Sequence, residues 1–278
     1  MYDPILGRFN SVDPLADQQL QFNPYHYSYN NPILFNDPSG LIGELYYEAN
    51  GNIYYLGDDG QDDGKQYLVN DLSAFSSAKR DNGGLNSGAT TALLESGGAK
   101  EITVDLPDGQ SEGEFFKALY DKGMASDVSG LKEQSASLIL NTETATLTAS
   151  VDSDAGNTPT LSVGRTPDEI SGANSNNVMV GRAHTHQLAD FIMSETVGDR
   201  PMVSTASFHT GDRTGTARLG VPQYSFDSRF IQQQVPTTSM GQPATNSVNG
   251  PATSSLYNGT FSILRNTLKT VSVDQSGR

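Results

Sequence analysis

The chain lacks cysteine and tryptophan altogether among its 278 residues. The absence of cysteine excludes disulfide bonds, thiol nucleophiles and zinc sites built from cysteine ligands. It also excludes the zinc-dependent nucleobase deaminases, because their metal site requires a Pro-Cys-x-x-Cys motif. Catalysis or metal binding in this chain must therefore use other side chains.

Basic residues are also scarce: 17 Lys and Arg stand against 32 Asp and Glu, so the formal net charge is −15 at pH 7. Proteins that bind a phosphate backbone rely on clustered Lys and Arg. We therefore expect no nucleic-acid partner. The negative charge also disfavours a nuclease that uses His184 and aspartates with magnesium. A DNA- and RNA-degradation assay tests this hypothesis.

Long apolar segments are missing as well. No run of apolar residues approaches the length of a transmembrane helix, and the N-terminus carries no secretory signal pattern. We therefore expect no membrane insertion. The chain length suits one domain with an appendage, or two domains.

The N-terminal segment carries four spaced motifs rich in Pro, Asp, Asn and Tyr. They are YDPILGRF at 2–9, DPLA at 13–16, PYHYSYNNP at 24–32 and NDPSGL at 36–41. Asp-Pro and Asn-Pro pairs mark turns, because proline fixes φ and keeps the preceding residue out of the helical region. These motifs predict a short strand-and-turn segment that is too small to bury a core alone.

In their order, these motifs resemble the C-terminal end of the Rhs/YD-repeat core, the β-cage that precedes a variable domain in bacterial polymorphic toxins. The resemblance implies that the chain after Leu41 is an effector or toxin region. It also implies three partners, namely an upstream Rhs cage, a cognate immunity protein and a target-cell protein substrate. We expect the protein to be exported or secreted by a bacterium, with export directed by the upstream region.

In family members that release their cargo, two Asp-Pro motifs supply paired aspartates and cleavage follows the second motif. Carried over to this sequence, the aspartates are Asp13 and Asp37, and the self-cleavage site follows Leu41. Here the first motif ends in Ala16, where the family has Gly. An alternative interpretation is that both aspartates only form turns.

The sequence predicts three regions: the Rhs fragment at 1–41, a hairpin with a flexible linker at 42–101, and a compact domain at 102–278. The hairpin is predicted to turn at Asn50-Gly51, the pair preferred in type I′ turns. Residues 70–100 are rich in Ser, Gly, Ala and Asn, which is typical of a loosely structured linker.

Strand and helix patterns alternate in the third region, which predicts an α/β (α+β) fold with a mixed β-sheet flanked by helices. A capping box, Ser111 with Glu114, predicts the start of a helix that ends near Gly123. The other predicted elements are strands at 102–104, 133–140, 144–151, 178–186 and 221–226, and helices at 213–219 and 261–268.

The chemistry concentrates at His184-Thr185-His186. Residues two apart in a strand point to the same side, so both imidazoles can converge on one ion. Imidazole is a good zinc ligand, and a catalytic zinc takes three protein ligands and a water. The motif therefore predicts a metal site, with an accidental pair on a metal-free strand as the alternative.

Glu133 stands upstream of this motif at the start of an apolar strand, and Asp212 stands downstream before a predicted helix. This order resembles the JAB/JAMM (MPN-type) metalloprotease family over residues 102–230. The resemblance implies a zinc cofactor held by the two histidines and Asp212. It also implies that Glu133 is the catalytic acid/base, which takes a proton from water and returns it to the leaving amine.

The chain departs from the family pattern between the histidines and Asp212. The family places Ser-x-x-Asp soon after the second histidine, whereas here an insertion intervenes and His209 occupies the serine position. Ser207 and His209 are therefore predicted as supporting residues. Asp190 or Asp199, inside the insertion, is the alternative third ligand.

These observations predict a zinc-dependent peptidase or isopeptidase that acts on a target-cell protein. The alternative is a non-catalytic binding or effector domain with a degenerate JAMM-like site. Zinc content separates these two hypotheses, because only the first requires about one zinc per chain that is lost on substitution of His184.

Overall fold

The computed structural model describes most of the chain after residue 42. The described residues are 2–3, 8–9, 43–61, 63–124, 132–152, 166, 169–170, 176–186, 216–217, 219–239, 242–271 and 273–274.

Within these residues the secondary structure is mixed. The strands are β1 (Tyr2–Asp3), β2 (Arg8–Phe9), β3 (Glu44–Ala49), β4 (Asn52–Asp58), β5 (Gln66–Val69), β6 (Ala99–Glu101), β7 (Thr103–Val104), β8 (Ser135–Asn141), β9 (Thr146–Val151), β10 (Asn177–Thr185), β11 (Gln223–Phe226), β12 (Phe230–Ser239), β13 (Gln242–Ala252) and β14 (Val273–Asp274). The α-helices are α1 (Leu72–Asp81), α2 (Ser87–Glu95), α3 (Glu112–Lys122), α4 (Thr253–Tyr257) and α5 (Ile263–Val271).

The chain divides into two compact units. The first unit contains residues 1–50, 54–102 and 273–278, and the second contains residues 51–53 and 103–272. The last strand, β14, belongs to the first unit, where it pairs with β4. At the N-terminus, β1 and β2 form a two-stranded antiparallel sheet.

The first unit is built on a five-stranded sheet with the order β14-β4-β3-β5-β6. The predicted turn between β3 and β4 is confirmed: Asn50 and Gly51 both have positive φ, at 55° and 78°, as a type I′ turn requires. Strand β5 runs parallel to β3, and β6 runs antiparallel to β5. One face of this sheet packs with α1 and α2 around a small apolar core that includes Leu45, Tyr67 and Leu93.

The prediction of a flexible linker at 70–100 was wrong, because this segment folds into α1, α2 and β6. Each helix begins at a side-chain cap: the Asp71 carboxylate accepts from Ser73 N and Ala74 N, and Asn86 accepts from Ala89 N. The Ser, Asn and Gly residues that suggested a linker are largely caps and turns. The Ala, Phe and Leu residues between them supply the apolar contacts that hold the helices.

The second unit contains a seven-stranded mixed sheet with the order β13-β12-β11-β10-β8-β9-β7. Strands β10 and β11 are parallel, and so are β7 and β9, whereas the other neighbours are antiparallel. The sheets of both units are flanked by helices, so the predicted α/β class with a mixed sheet is confirmed at this level.

Helix α3 forms as its capping box predicts. The Ser111 hydroxyl accepts from Glu114 N, while the Glu114 carboxylate accepts from Ser111 N over 2.8 Å. The helix ends at Gly123, as predicted. Its apolar side is buried, and Phe116 packs edge-on against Phe226 of β11 at a ring distance of 5.7 Å.

Helix α5 packs closely against β10. A Cβ at Gly181 would lie 2.7 Å from Thr267 Cγ2 of α5, so only glycine permits this approach. The start of α5 is held by α3, because the Glu112 carboxylate accepts from Ser262 Oγ over 2.7 Å and from Leu264 N over 3.0 Å. Burial raises the pKa of Glu112, and these donors oppose the increase. Helices α3 and α5 therefore brace the sheet from one side.

The other predicted elements agree with the observed strands and helices to within a few residues. The predicted helix at 213–219 is the exception, since it lies largely outside the described residues. None of the described helices is both long enough and apolar enough to span a bilayer.

Candidate functional site

The candidate site lies where β10 ends, between the start of β8 and the end of β11. His184 is paired with Ser135 of β8 on one side and with Ser225 of β11 on the other. Directly paired residues of a sheet point to the same face, so these three side chains share a face. Gly181 faces α5 and lies an odd number of positions from His184, so the site is on the opposite face of the sheet.

The two histidines of the motif converge. His184 Nε2 lies 3.1 Å from His186 Nε2, and the ring centroids are 4.9 Å apart. Both side chains are buried, with 1% and 3% of their surfaces exposed. The alternation of side chains along the strand predicted this convergence. The backbone of His186 is fixed beyond the end of β10, because its N–H donates to the Phe226 carbonyl over 2.9 Å.

Glu133 lies beside this pair. Its Oε1 atom is 4.0 Å from His186 Nε2, and the residue is 5% exposed. The carboxylate is therefore near the imidazoles but beyond hydrogen-bond distance from His186 Nε2. This distance suits a group that acts on a water between them.

A second polar cluster lies on the same face, beside the histidines. The buried Asp152 carboxylate accepts hydrogen bonds from Ser135 Oγ over 2.6 Å and from Ser137 Oγ over 2.7 Å. Arg182 Nε lies 4.0 Å from Asp152 Oδ2. Since Ser137 is paired with Arg182 as Ser135 is with His184, this cluster continues the polar face along β8 and β10.

No motif in the sequence predicted this cluster. Asp152 directly follows the alternating strand β9, and Ser135 and Ser137 alternate within β8. The alternation of small polar residues in an otherwise apolar strand could have indicated a polar face. The sequence could not predict that Asp152 is their common partner, because Asp152 meets them only through the antiparallel pairing of β8 with β9.

Several predicted residues lie outside the described part of the chain. They are the third-ligand candidates Asp212, Asp190 and Asp199, the supporting residues Ser207 and His209, and the self-cleavage residues Asp13, Asp37 and Leu41. Their roles remain predictions.

Two of the three predicted zinc ligands, His184 and His186, have a geometry that fits zinc. For zinc–nitrogen bonds of about 2.1 Å in a tetrahedral site, two ligand nitrogens lie roughly 3.4 Å apart. The observed separation of 3.1 Å between the two Nε2 atoms is close to this value. Among the described residues, no group of three or more His, Asp or Glu side chains is arranged to hold a metal ion. The predicted third ligand, Asp212, lies outside the described residues.

The face of the sheet opposite the site packs against α5 through a buried tyrosine. Tyr224 of β11 is fully buried, and its hydroxyl contacts Asn266 Nδ2 over 3.1 Å and Gln233 Nε2 over 2.8 Å. Burial raises the pKa of Tyr224 to about 12, so the hydroxyl stays protonated at neutral pH. Tyr224 therefore serves as a structural residue that anchors α5 to the sheet beneath the site.

Comparisons with known proteins identify no family for this chain. No protein-family profile matches it, and a search of the curated proteins finds no significant match.

Proposed function

We propose that the second unit is a zinc-dependent peptidase or isopeptidase of the JAMM type. The observation that supports this most directly is the geometry of three buried side chains. His184 Nε2 and His186 Nε2 converge at 3.1 Å, and Glu133 Oε1 lies 4.0 Å from His186 Nε2. Glu133 lies just before β8 and the two histidines lie at the end of β10, so the pairing of these two strands brings the three side chains together.

In the proposed reaction, His184 and His186 would hold the metal, with Asp212 as the third ligand. Zinc, when bound, would polarise the scissile carbonyl group and lower the pKa of water. Glu133 accepts a proton from the attacking water as its oxygen bonds to the carbonyl carbon. Glu133 then donates that proton to the amine nitrogen as the carbon–nitrogen bond breaks. The products are a carboxylic acid and an amine.

We further propose that this enzyme is the effector of an Rhs-family protein. The motifs between residues 2 and 41 support this proposal. On this proposal, an upstream Rhs cage carries the chain, export from a bacterium delivers it, a target-cell protein is the substrate, and a cognate immunity protein protects the producing cell.

Two measurements on the full chain test the proposed function. The first is the zinc content of the purified protein, which we expect to be about one per chain. The second is the cleavage of a proteome-derived peptide library, followed as new amino termini by mass spectrometry. Cleavage that requires zinc and is lost in Glu133→Gln supports the proposal. A folded protein that binds no zinc and cleaves nothing favours the alternative, a non-catalytic binding domain with a degenerate site.

A further inference from the structure

Thr185, the central residue of the His-Thr-His motif, is fully buried, with 0% exposure. Its backbone N–H donates to the Gln134 carbonyl over 2.9 Å. In a hydrogen-bonded antiparallel pair, the partner's N–H normally returns the bond to the backbone carbonyl. Here Gln134 N donates instead to the Thr185 hydroxyl oxygen, 2.9 Å away. The hydroxyl of Thr185 thus takes the place of a backbone acceptor.

This hydrogen bond to a side-chain acceptor lies next to the proposed acid/base. The regular ladder between β8 and β10 ends at the pair His184 and Ser135, so Gln134 lies one position beyond it. The Thr185 hydroxyl also lies 3.4 Å from the Gln134 carbonyl, to which it can donate. Because Glu133 directly precedes Gln134, fixing the Gln134 backbone fixes the direction in which the Glu133 side chain enters the site.

We propose that Thr185 is a positioning residue for Glu133. Its hydroxyl holds the Gln134 backbone so that Glu133 Oε1 stays near His186 Nε2, at 4.0 Å. This inference rests on the proposed function, in which Glu133 transfers the proton, and Thr185 acts only through Glu133. Without the hydroxyl, Gln134 N–H would lose its acceptor in a buried environment, where an unsatisfied donor is costly, and the segment would shift to find another.

Two substitutions at Thr185 separate the hydroxyl from the shape of the side chain. Thr185→Val keeps the branched shape and removes the hydroxyl, whereas Thr185→Ser keeps the hydroxyl. The matched control is Thr253→Val, since Thr253 is also 0% exposed and its hydroxyl donates to the Asp227 carbonyl over 2.9 Å. The hydrogen bond of Thr253 thus involves neither Gln134 nor the histidines.

The experiment compares the zinc-loaded full-length variants in three measurements. These are amide hydrogen exchange at Gln134, zinc content, and kcat and KM for the best-cleaved peptide of the proteome-derived library. For Thr185→Val we expect exchange at Gln134 to accelerate at least about tenfold, since its N–H loses its acceptor. We expect kcat to fall at least about tenfold, because Glu133 is no longer aligned for proton transfer. KM should change less than about twofold, because peptide binding does not depend on Glu133. Zinc content should stay at about one per chain.

Rescue and control decide the interpretation. Thr185→Ser should restore exchange and kcat to within about threefold of the wild-type values, and Thr253→Val should leave both unchanged. Unchanged exchange at Gln134 in Thr185→Val overturns the proposal, and so does a loss of kcat that serine does not rescue or that Thr253→Val reproduces. A wild-type protein without zinc or cleavage overturns the proposed function instead, while the exchange measurement still decides whether Thr185 holds the Gln134 backbone.

Discussion

Each of the two units buries a glutamate, and the surroundings of the two carboxylates differ. In the first unit, Glu44 accepts from the Tyr46 hydroxyl over 2.6 Å and from Gln66 Nε2 over 3.1 Å. In the second unit, Glu133 lies 4.0 Å from His186 Nε2 and faces an imidazole pair. Glu44 accepts hydrogen bonds from an amide and a phenol, whereas Glu133 stands beside two imidazoles, which are good zinc ligands.

This comparison shows why burial alone does not identify a catalytic carboxylate. Both residues are nearly inaccessible, at 7% for Glu44 and 5% for Glu133. A carboxylate that accepts short hydrogen bonds from its own sheet is stabilised in one place and serves the fold. A carboxylate set against imidazoles leaves a distance that a water can bridge, and it can therefore take part in proton transfer.

The largest expected effect is the loss of metal from the second unit. His184→Ala should reduce the zinc content from about one per chain to below about a tenth, because a site with one imidazole removed retains too few ligands. Zinc measured by mass spectrometry on the purified full chain checks this outcome. His26→Ala, in the N-terminal segment, is the control and should keep the zinc. Equal zinc in both variants would contradict the proposed site.

The next effect separates the two glutamates directly. Glu133→Gln should lower peptide cleavage about 100- to 10,000-fold, the range typical of general acid–base catalysis, and should keep its zinc. Glu44→Gln is the matched control, since it changes a buried glutamate of the first unit in the same way. Cleavage rates on the peptide library compare the two variants. Similar losses in both would mean that the effect comes from folding and that the comparison fails.

A third substitution tests the buried polar cluster beside the histidines. Asp152→Ala removes the acceptor of Ser135 and Ser137 and the acidic neighbour of Arg182. We expect the free energy of unfolding to fall by about 3 kcal/mol, because two buried hydroxyls lose their acceptor and a partly buried cation loses its acidic neighbour. Urea denaturation measures this change. A loss below about 1 kcal/mol would show that Asp152 contributes little to the stability of this face.

Alkaline pH should distinguish the two units through their buried tyrosines. Burial, and then the Glu44 charge, raise the pKa of Tyr46 well above its usual range, while burial raises the pKa of Tyr224 to about 12. Above about pH 10 the unfolded chain loses protons that the folded units keep. Stability is therefore fully present below about pH 10 and falls as the pH rises, by about 1.4 kcal/mol per pH unit for each tyrosine.

Urea denaturation at several pH values between 9 and 12 checks this dependence. Tyr224→Phe should remove its share of the slope in the second unit, and Tyr46→Phe should remove its share in the first unit. Part of the slope of the first unit should remain in Tyr46→Phe, because burial also raises the pKa of Tyr67. Hydrogen exchange resolved by peptide assigns each change to its unit. A slope that neither substitution alters would contradict the assignment to these hydroxyls.

The smallest effect concerns the helix that braces the sheet below the site. Ser111→Ala removes the hydroxyl that caps Glu114 N at the start of α3, and should cost about 1 kcal/mol of stability in the second unit. Thermal melting measures this loss. Asn86→Ala, the equivalent cap of α2 in the first unit, should cost a similar amount, since Asn86 accepts from Ala89 N in the same way. A much larger loss in one variant would show that its cap has an additional tertiary role.

The elements that the sequence predicts correctly are the ones that depend on neighbouring residues. The Asn50-Gly51 turn, the capping box of α3 and the strand patterns of β8 to β11 all follow from neighbouring residues. The prediction of a linker at residues 70–100 failed, because Ser, Gly and Asn occur both in linkers and in helix caps. Only the packing of Leu93 and its neighbours against the first sheet distinguishes these two cases.

The sequence by itself determined that His184 and His186 share a face, because strand geometry places every second side chain on the same side. Only the tertiary structure decided which groups surround them. Glu133 reaches His186 because β8 pairs with β10, and Asp152 reaches Ser135 because β9 pairs with β8. The pairing of strands distant in sequence depends on the burial of a whole sheet face, a property that no short motif contains.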